Sequence, residues 1–379
     1  EGNLDNILQA IAMAKEKNVD LLCLPELSIT GYGSEDLFLS YWYPKKALDS
    51  LQKILPYTQD ITVLVGLPCR IHSQLYNCMA VLEDREILGF VAKQFLAIDG
   101  VHYEGRWFTP WKAGEVTTIE CFDGKYPFGD IIFDKHGHKY GFEICEDAWR
   151  GSKRPGHRLK KRGVDIIFNP SASHFAMGKS EQRELLVKES SKELGVAYFY
   201  VNLLGNESGR MIFDGEVLYA EEGEVLLKNK LLSFQSVQLQ TFHFPAKGAK
   251  PLQLTHNSQT KNEEFMAAST LALFDYLRKS RSRGFVLSLS GGADSSTIAI
   301  LVADMVKRGV EMLGAPLFLK KIHRENDISP SSNTKEIIKE IFTTAYQGTR
   351  NSSTATLNSA QNLAKSLGAT FHPWTIDEE

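Results

Sequence analysis

The sequence predicts an α/β chain of two domains, and three observations carry that expectation. Segments with apolar residues at helical spacing alternate with short apolar runs of strand length. A stretch without periodicity, marked by Pro245, Gly248 and Pro251, divides the chain into residues 1–245, a linker at 246–262 and a second domain at 263–379. In the second domain, Val286-Leu287-Ser288-Leu289 ends abruptly in Ser290-Gly291-Gly292-Ala293-Asp294-Ser295-Ser296, and a helical pattern follows. Strand, small-residue turn and helix start is the order in which α/β folds present backbone N–H groups to a ligand.

The 379 residues are 43% hydrophobic and 23% charged, with a formal net charge of −3, which supports two sizeable cores. A near-neutral balance gives no reason to expect nucleic acid. No apolar run is long enough for a membrane helix, and no secretory signal opens the chain, so the expectation is a cytoplasmic protein with no membrane partner. Cys23, Cys69, Cys78, Cys121 and Cys145 are odd in number and fit neither zinc nor disulfide spacing, which agrees with a reducing compartment.

Leu4, Ile7, Leu8 and Ile11 mark an opening helix, and Leu21-Leu22-Cys23-Leu24 a buried strand that stops at Pro25-Glu26. A helix before any strand is an odd start for an α/β domain and suggests that a first strand is missing. Taken alone, Glu26 reads best as a structural carboxylate, although strand ends are also where such folds place chemistry. A helix near residues 46–55 and a strand at 61–68 come next. Strands at 76–83 and 86–93 then form a hairpin around Asp84-Arg85, with Lys93 closing the second. Residues 94–138 read as loop-rich and aromatic. The basic run from Lys153 to Arg162 lacks interleaved aromatics and reads as a solvated loop and helix face. A strand at 164–169, a helix at 179–194 and a strand at 196–202 complete this half, with turn signals at Asp214-Gly215 and Glu222-Gly223.

Between them, residues 139–145 form a strand that turns at Cys145, where a nucleophile can stand above a sheet. A free thiol has a pKa of about 8.5 and is only a few per cent thiolate at neutral pH. Glu143, Glu146 and Asp147 should raise that value further. Such a thiol needs a base and a compensating cation, which Glu26 and Lys93 can supply.

Pro25-Glu26-Leu27-Ser28-Ile29-Thr30-Gly31-Tyr32, Ala92-Lys93-Gln94-Phe95-Leu96 and Glu143-Ile144-Cys145-Glu146-Asp147 resemble, in order, the glutamate, lysine and cysteine blocks of the nitrilase superfamily. The resemblance implies an α-β-β-α sandwich with Glu26 as general base, Lys93 stabilising the oxyanion and Cys145 forming the acyl-thioester. It also implies that Glu104 orients the lysine and that Tyr32, Glu146, Ser171 and Ser173 contact a glutamine substrate. His174 is left as a loop histidine.

The turn Ser290–Ser296 resembles the SGGxDS loop of ATP pyrophosphatases, which implies a doubly wound parallel sheet whose Ser290, Gly291, Gly292, Ala293, Asp294, Ser295 and Ser296 bind ATP. Ser290 is counted also among the groups at the reacting centre, and Asp294 is the implied Mg²⁺ ligand. Asn351-Ser352-Ser353 resembles a loop of the same synthetase domain, and Ser353 also reads as a helix cap. A nitrilase-type glutaminase ahead of such a domain resembles the glutamine-dependent NAD synthetases, cut short at both ends. That family implies glutamine, ATP and deamido-NAD as substrates and a homo-oligomer. The alternatives are another ATP-pyrophosphatase amidotransferase, or an amidase with a regulatory ATP-binding module. Turnover of ATP that requires deamido-NAD separates them.

Overall fold

The computed structural model describes residues 2–122, 124–207, 209–245 and 260–377, so most of the expected linker lies outside the described residues. The chain divides into two compact units, Glu1–Leu231 with Ser236–Ser258 and Leu232–Gln235 with Gln259–Glu379.

In the first unit, α1 (Gly2–Glu16), β1 (Leu21–Cys23), α2 (Trp42–Ile54), β2 (Thr62–Ile71), β3 (Gln74–Glu83), β4 (Glu86–Ala92), β5 (Val116–Cys121) and β6 (Gly124–Gly129) come first. Their strands make one sheet in the order β1-β2-β3-β4-β6-β5. There follow β7 (Phe133–Lys135), β8 (His138–Phe142), α3 (Gly156–Lys161), β9 (Ile166–Ser171), α4 (Lys179–Leu194) and β10 (Ala197–Asn202). Last come the antiparallel pair β11 (Leu204–Glu207) and β12 (Met211–Asp214), then β13 (Val217–Glu221) and β14 (Glu224–Lys228). The second sheet runs β14-β13-β10-β9-β8-β7.

Side-chain alternation explains the layering. Val63, Val65 and Leu67 of β2 pack with Ile7, Ile11 and Leu51 of α1 and α2. Leu64, between them, faces the other way and joins Met79, Val81, Tyr140, Ile166 and Phe168 between the two sheets. Ile167, Tyr198 and Tyr200 point outward again, to Leu159 of α3 and to Val187 and Leu194 of α4. The result is the α-β-β-α sandwich. Asp84 and Arg85 both take left-handed backbone, φ 47° and 69°, as a two-residue hairpin turn requires.

The region 94–138, read as loop from its sequence, contains β5, β6 and β7. Pro127 within β6 and glycines at both its ends are residues that strands disfavour, so this strand carries little signal in sequence. Among the described residues no strand pairs with the second edge of β1, and a cavity of about 580 Å³ runs beside it, bordered by Ile7, Phe168 and Phe242.

The second unit opens with α5 (Lys261–Ser280), whose first turn is closed by Thr260 and Glu263 bonding reciprocally. Then come β15 (Phe285–Ser288), α6 (Ala293–Leu313), α7 (Ala315–Lys321), α8 (Thr334–Ile341), β16 (Phe342–Gly348), α9 (Thr354–Leu367) and β17 (Thr370–Thr375). The three strands are parallel, in the order β15-β16-β17. Phe274 of α5 stacks on Phe234 at 4.6 Å and Phe318 at 5.9 Å, within the core of this unit. The polar stretch after Lys320 runs into α8, which Asn333 and Glu336 cap reciprocally. Among the described residues no helix is long and apolar enough to cross a membrane.

Candidate functional site

Three strand ends of the sandwich bring Glu26, Lys93 and Cys145 together. Glu26 follows β1, Lys93 follows β4, and Cys145 opens a short 3-10 turn beyond β8. Lys93 Nζ lies 2.6 Å from Glu26 Oε1 and 2.8 Å from Glu104 Oε1, and all three residues are buried. Glu26 also accepts from Asn77 Nδ2 at 2.7 Å and from the Ala172 N–H at 2.7 Å. Glu104 accepts from Tyr32 Oη at 2.9 Å and from the Ala97 N–H at 3.1 Å. Every oxygen of the two carboxylates is therefore held, as buried charges require.

Cys145 takes left-handed backbone, φ 48°, which is strained for a residue with a Cβ and is typical of a nucleophile on a tight turn. Burial pushes its thiol pKa well up; Glu26 and Glu104 push the same way, and Lys93 opposes them. The acidic neighbours in sequence are not the cause. Glu143 is ion-paired to Arg154, and Glu146 Oε1 lies 2.7 Å from Arg150. Asp147 clamps the elbow to the Lys93 strand end, accepting from the N–H groups of Gln94 at 3.0 Å, Phe95 at 2.7 Å and Ile144 at 2.9 Å. Burial pushes the Glu26 carboxyl above its usual value, with Lys93 pulling it down and Glu104 pushing it up. Lys93, facing two carboxylates, keeps its proton.

The wall of the site is the turn after β9. Ser171 is buried with its hydroxyl on Asn169, and Ser173 Oγ accepts from Arg183 at 3.2 Å, so both expected glutamine contacts have hydroxyls engaged inside the protein. Arg183, fully buried on α4, also reaches Glu216 at 2.9 Å, Asp214, and the carbonyl of His174 at 3.2 Å. Removing one partner from a buried ion pair leaves the others uncompensated, a loss of about 3–5 kcal/mol. Arg183→Met should therefore lower the stability of the first unit by that much, read from its denaturation midpoint; a change under about 1 kcal/mol would contradict the clamp.

In the second unit the Ser290–Ser296 turn lies at the carboxyl end of β15, where parallel sheets receive ligands. Gly291 has φ 80°, and a Cβ there would meet the Thr356 carbonyl oxygen at 2.5 Å, so only glycine fits. Ser290 Oγ lies 3.1 Å from Ser295 Oγ, and Ser296 Oγ donates to the Gly292 carbonyl at 2.7 Å. Asp294 stands exposed in the first turn of α6, and no described residue pairs with it. One unengaged carboxylate suits Mg²⁺, which commonly keeps its waters and takes the rest of its ligands from a bound triphosphate. Among the described residues, no three His, Cys, Asp or Glu side chains form a metal cluster of their own. Ser353 caps α9, accepting from the Thr356 N–H at 3.2 Å.

Residues 1–237 match the family model of carbon-nitrogen hydrolases, and residues 265–379 match that of NAD synthase. The chain belongs to the carbon-nitrogen hydrolase family. It is 30% identical to a glutamine-dependent NAD(+) synthetase of Dictyostelium discoideum over 100% of this chain and 60% of that protein. It is 29% identical to that of Bos taurus over 97% of this chain and 60% of the relative. A crystal structure of a glutamine-dependent NAD(+) synthetase from Cytophaga hutchinsonii superposes with a TM-score of 0.90 at 47% identity, covering 99% of this chain and 62% of that one. The chain thus spans about three-fifths of the length of these relatives.

Sequence reasoning missed several residues of this carbon-nitrogen hydrolase unit. Asn77 reaches Glu26 from β3, and nothing in its strand context marks it. His102, His174 and Lys179 stand together beside Tyr32: His102 Nδ1 is 2.9 Å from the Tyr32 hydroxyl, and His102 Nε2 is 2.8 Å from His174 Nδ1. Lys179 Nζ lies 3.4 Å from His174 Nδ1. His174 sits in the connection between β9 and α4, as a loop histidine should, and Ser173-His174 is the one signal of this cluster along the chain. The basic run also differs from its reading. Arg154 is buried, while Arg158 and Arg162 both hold the buried Asp130, at 3.1 and 2.9 Å.

Proposed function

We propose that this chain carries the glutaminase and the ATP-activating part of a glutamine-dependent NAD synthetase. The observation that carries the reading is the buried Glu26–Lys93–Glu104 cluster within electrostatic reach of Cys145, in a chain whose later residues match NAD synthase. Glu26 takes the thiol proton as Cys145 Sγ attacks the side-chain amide of glutamine. Lys93 and the N–H of Glu146 stabilise the oxyanion, a contribution of about 3–4 kcal/mol per donor. Glu26 then returns the proton to the leaving nitrogen, ammonia departs, and water clears the thioester to give glutamate. Tyr32, Glu146 and the Ser171–Ser173 turn surround the substrate, the turn offering backbone groups since its hydroxyls are engaged.

In the second unit, the turn Ser290, Gly291, Gly292, Ala293, Asp294, Ser295 and Ser296 cradles the phosphates of ATP, with N–H groups at the α6 start and serine hydroxyls as donors. Asp294 would hold Mg²⁺, which when bound offsets triphosphate charge. The carboxylate of deamido-NAD displaces pyrophosphate from the α-phosphorus of ATP, and ammonia then displaces AMP to give NAD. The test is purified protein with ATP, deamido-NAD and either glutamine or ammonia, assayed for AMP, pyrophosphate and NAD. ATP binding without turnover that depends on deamido-NAD would sink the reading.

Two further outcomes follow from the first unit. Lys93→Ala should slow thioester formation by at least about 10²-fold, the size expected for one oxyanion donor. Quenched-flow trapping of the acyl-enzyme at the normal rate would remove Lys93 from the mechanism. The base must be ionised to act, and burial raises the Glu26 pKa, so the acid limb of glutaminase kcat/KM should lie above the usual carboxylate value of about 4.3. Activity is lost as pH falls through that raised pKa. A limb at or below the usual value would contradict it.

A further inference from the structure

We propose that Tyr32, His102 and His174 form a proton exit from the glutaminase site. The inference rests on the reading of Cys145 as the nucleophile. It starts from the balance of atoms. Thiol and amide give thioester and neutral ammonia, the thiol proton passing through Glu26 to nitrogen. Thioester and water then give a carboxylic acid and restore the thiol. With a pKa of about 4.3 the new acid ionises at neutral pH. If ammonia leaves neutral, as a nucleophile for an adenylate must be, one proton per turnover stays behind among buried side chains.

One hydrogen-bonded chain leads away from that position. Glu104 shares Lys93 with Glu26 at 2.8 and 2.6 Å. The Tyr32 hydroxyl lies 2.9 Å from Glu104 Oε1 and 2.9 Å from His102 Nδ1, and His102 Nε2 lies 2.8 Å from His174 Nδ1. Each joint pairs a group able to donate with one able to accept; His102 is bonded through a different nitrogen on each side, and His174 meets it at Nδ1, which Lys179 Nζ also faces at 3.4 Å. Packing alone would need the rings but not this alignment of nitrogens. Tyr32 is 3% exposed, while His102 and His174 are half-buried, so the chain runs outward.

Glu26 takes the proton of the product acid, and Lys93 takes it from Glu26 as it gives one of its own to Glu104, so the lysine stays charged. Glu104 passes that proton to the Tyr32 oxygen as Tyr32 gives its own to His102 Nδ1. His102 gives the proton on Nε2 to His174 Nδ1, and His174 releases one from Nε2 to solvent. No bond other than O–H and N–H is made or broken, and Tyr32, His102 and His174 each end neutral, their hydrogens turned inward. Tyr32 donating to Glu104 is that end state. Tautomer exchange on the two imidazoles resets the chain. Burial and the nearby Lys179 hold His102 and His174 down to about 4, so at neutral pH both start uncharged and can accept. These residues act through Glu104 and do not touch the reacting carbon.

The experiment is rapid-mix and steady-state glutamine hydrolysis by the intact protein and its His102→Phe and His174→Gln variants. The excess proton appears only after the thioester is cleared, so the first release of ammonia should keep its wild-type rate. Steady-state kcat should fall at least about tenfold, a floor set below the roughly 10²–10⁴-fold of a general acid or base at the reacting centre because these residues act one step removed, with KM for glutamine within about twofold. Added imidazole should restore kcat in proportion to its concentration. Should His102→Phe fail to fold, His174→Gln at the outer end reads the same chain. An unchanged kcat, a loss expressed only in KM, or no response to imidazole in a folded variant overturns the exit. Cys145→Ala run alongside separates the two ideas: if it keeps glutaminase activity the nucleophile reading fails, and if it is inactive while kcat of the histidine variants stands, only the exit fails.

Discussion

Cys145→Ala is expected to abolish glutamine-driven NAD formation, by at least about 10⁴-fold, and to leave ammonia-driven formation within about twofold of the parent. The size follows from removing a covalent nucleophile, after which only the binding and oxyanion groups of the site remain to catalyse. The selectivity follows from the architecture, because the thiol and the Ser290–Ser296 turn belong to different compact units. Alanine also releases strain little, since φ 48° disfavours any residue with a Cβ, so the elbow should keep its shape through Asp147. The measurement is NAD formation with each nitrogen donor in turn. Equal loss with both donors would contradict separate sites, and residual glutamine use above about 1% would move the chemistry off Cys145.

How far this could be read from the sequence depended on range. Glu26, Lys93 and Cys145 each end a strand, and strand ends are visible as apolar runs that stop. Their convergence was not visible, because it depends on β1 pairing with β2, β2 with β3 and β3 with β4, and on β8 lying beside β9. The thiol was expected to be raised by Glu143, Glu146 and Asp147, its neighbours along the chain. In space those carboxylates are turned to Arg154, Arg150 and backbone N–H groups, and burial does what they were credited with. The basic run looked solvated for the same reason, since Asp130, the partner of Arg158 and Arg162, lies far back in the sequence. His102 and His174 sit 72 positions apart and meet at 2.8 Å, a contact that no local pattern announces. In the second unit the opposite holds. Gly291, the serines and the start of α6 are contiguous, so the whole turn was legible in one line of sequence.

That contiguity makes Asp294→Ala the decisive substitution for the second unit. It should reduce NAD formation by at least about 10²-fold with glutamine and with ammonia alike, because in the proposed reaction activation of the carboxylate precedes attack by either source of nitrogen. A metal that stabilises developing phosphate charge contributes several kcal/mol, and about 1.4 kcal/mol corresponds to each factor of ten. Asp294 is exposed at the first turn of α6 and has no described partner, so its loss should disturb neither packing nor the cap. The argument sharpens with Asp294→Asn, which keeps size and one oxygen donor but removes the charge. That variant should need more Mg²⁺ to reach half its maximal rate, and the shift should appear whichever nitrogen donor is supplied. If the turn only began a helix, both variants would make NAD normally from ammonia and the Mg²⁺ requirement would not move. A fall confined to glutamine would be equally damaging, since it would tie Asp294 to the delivery of nitrogen and leave the activation of ATP without its carboxylate.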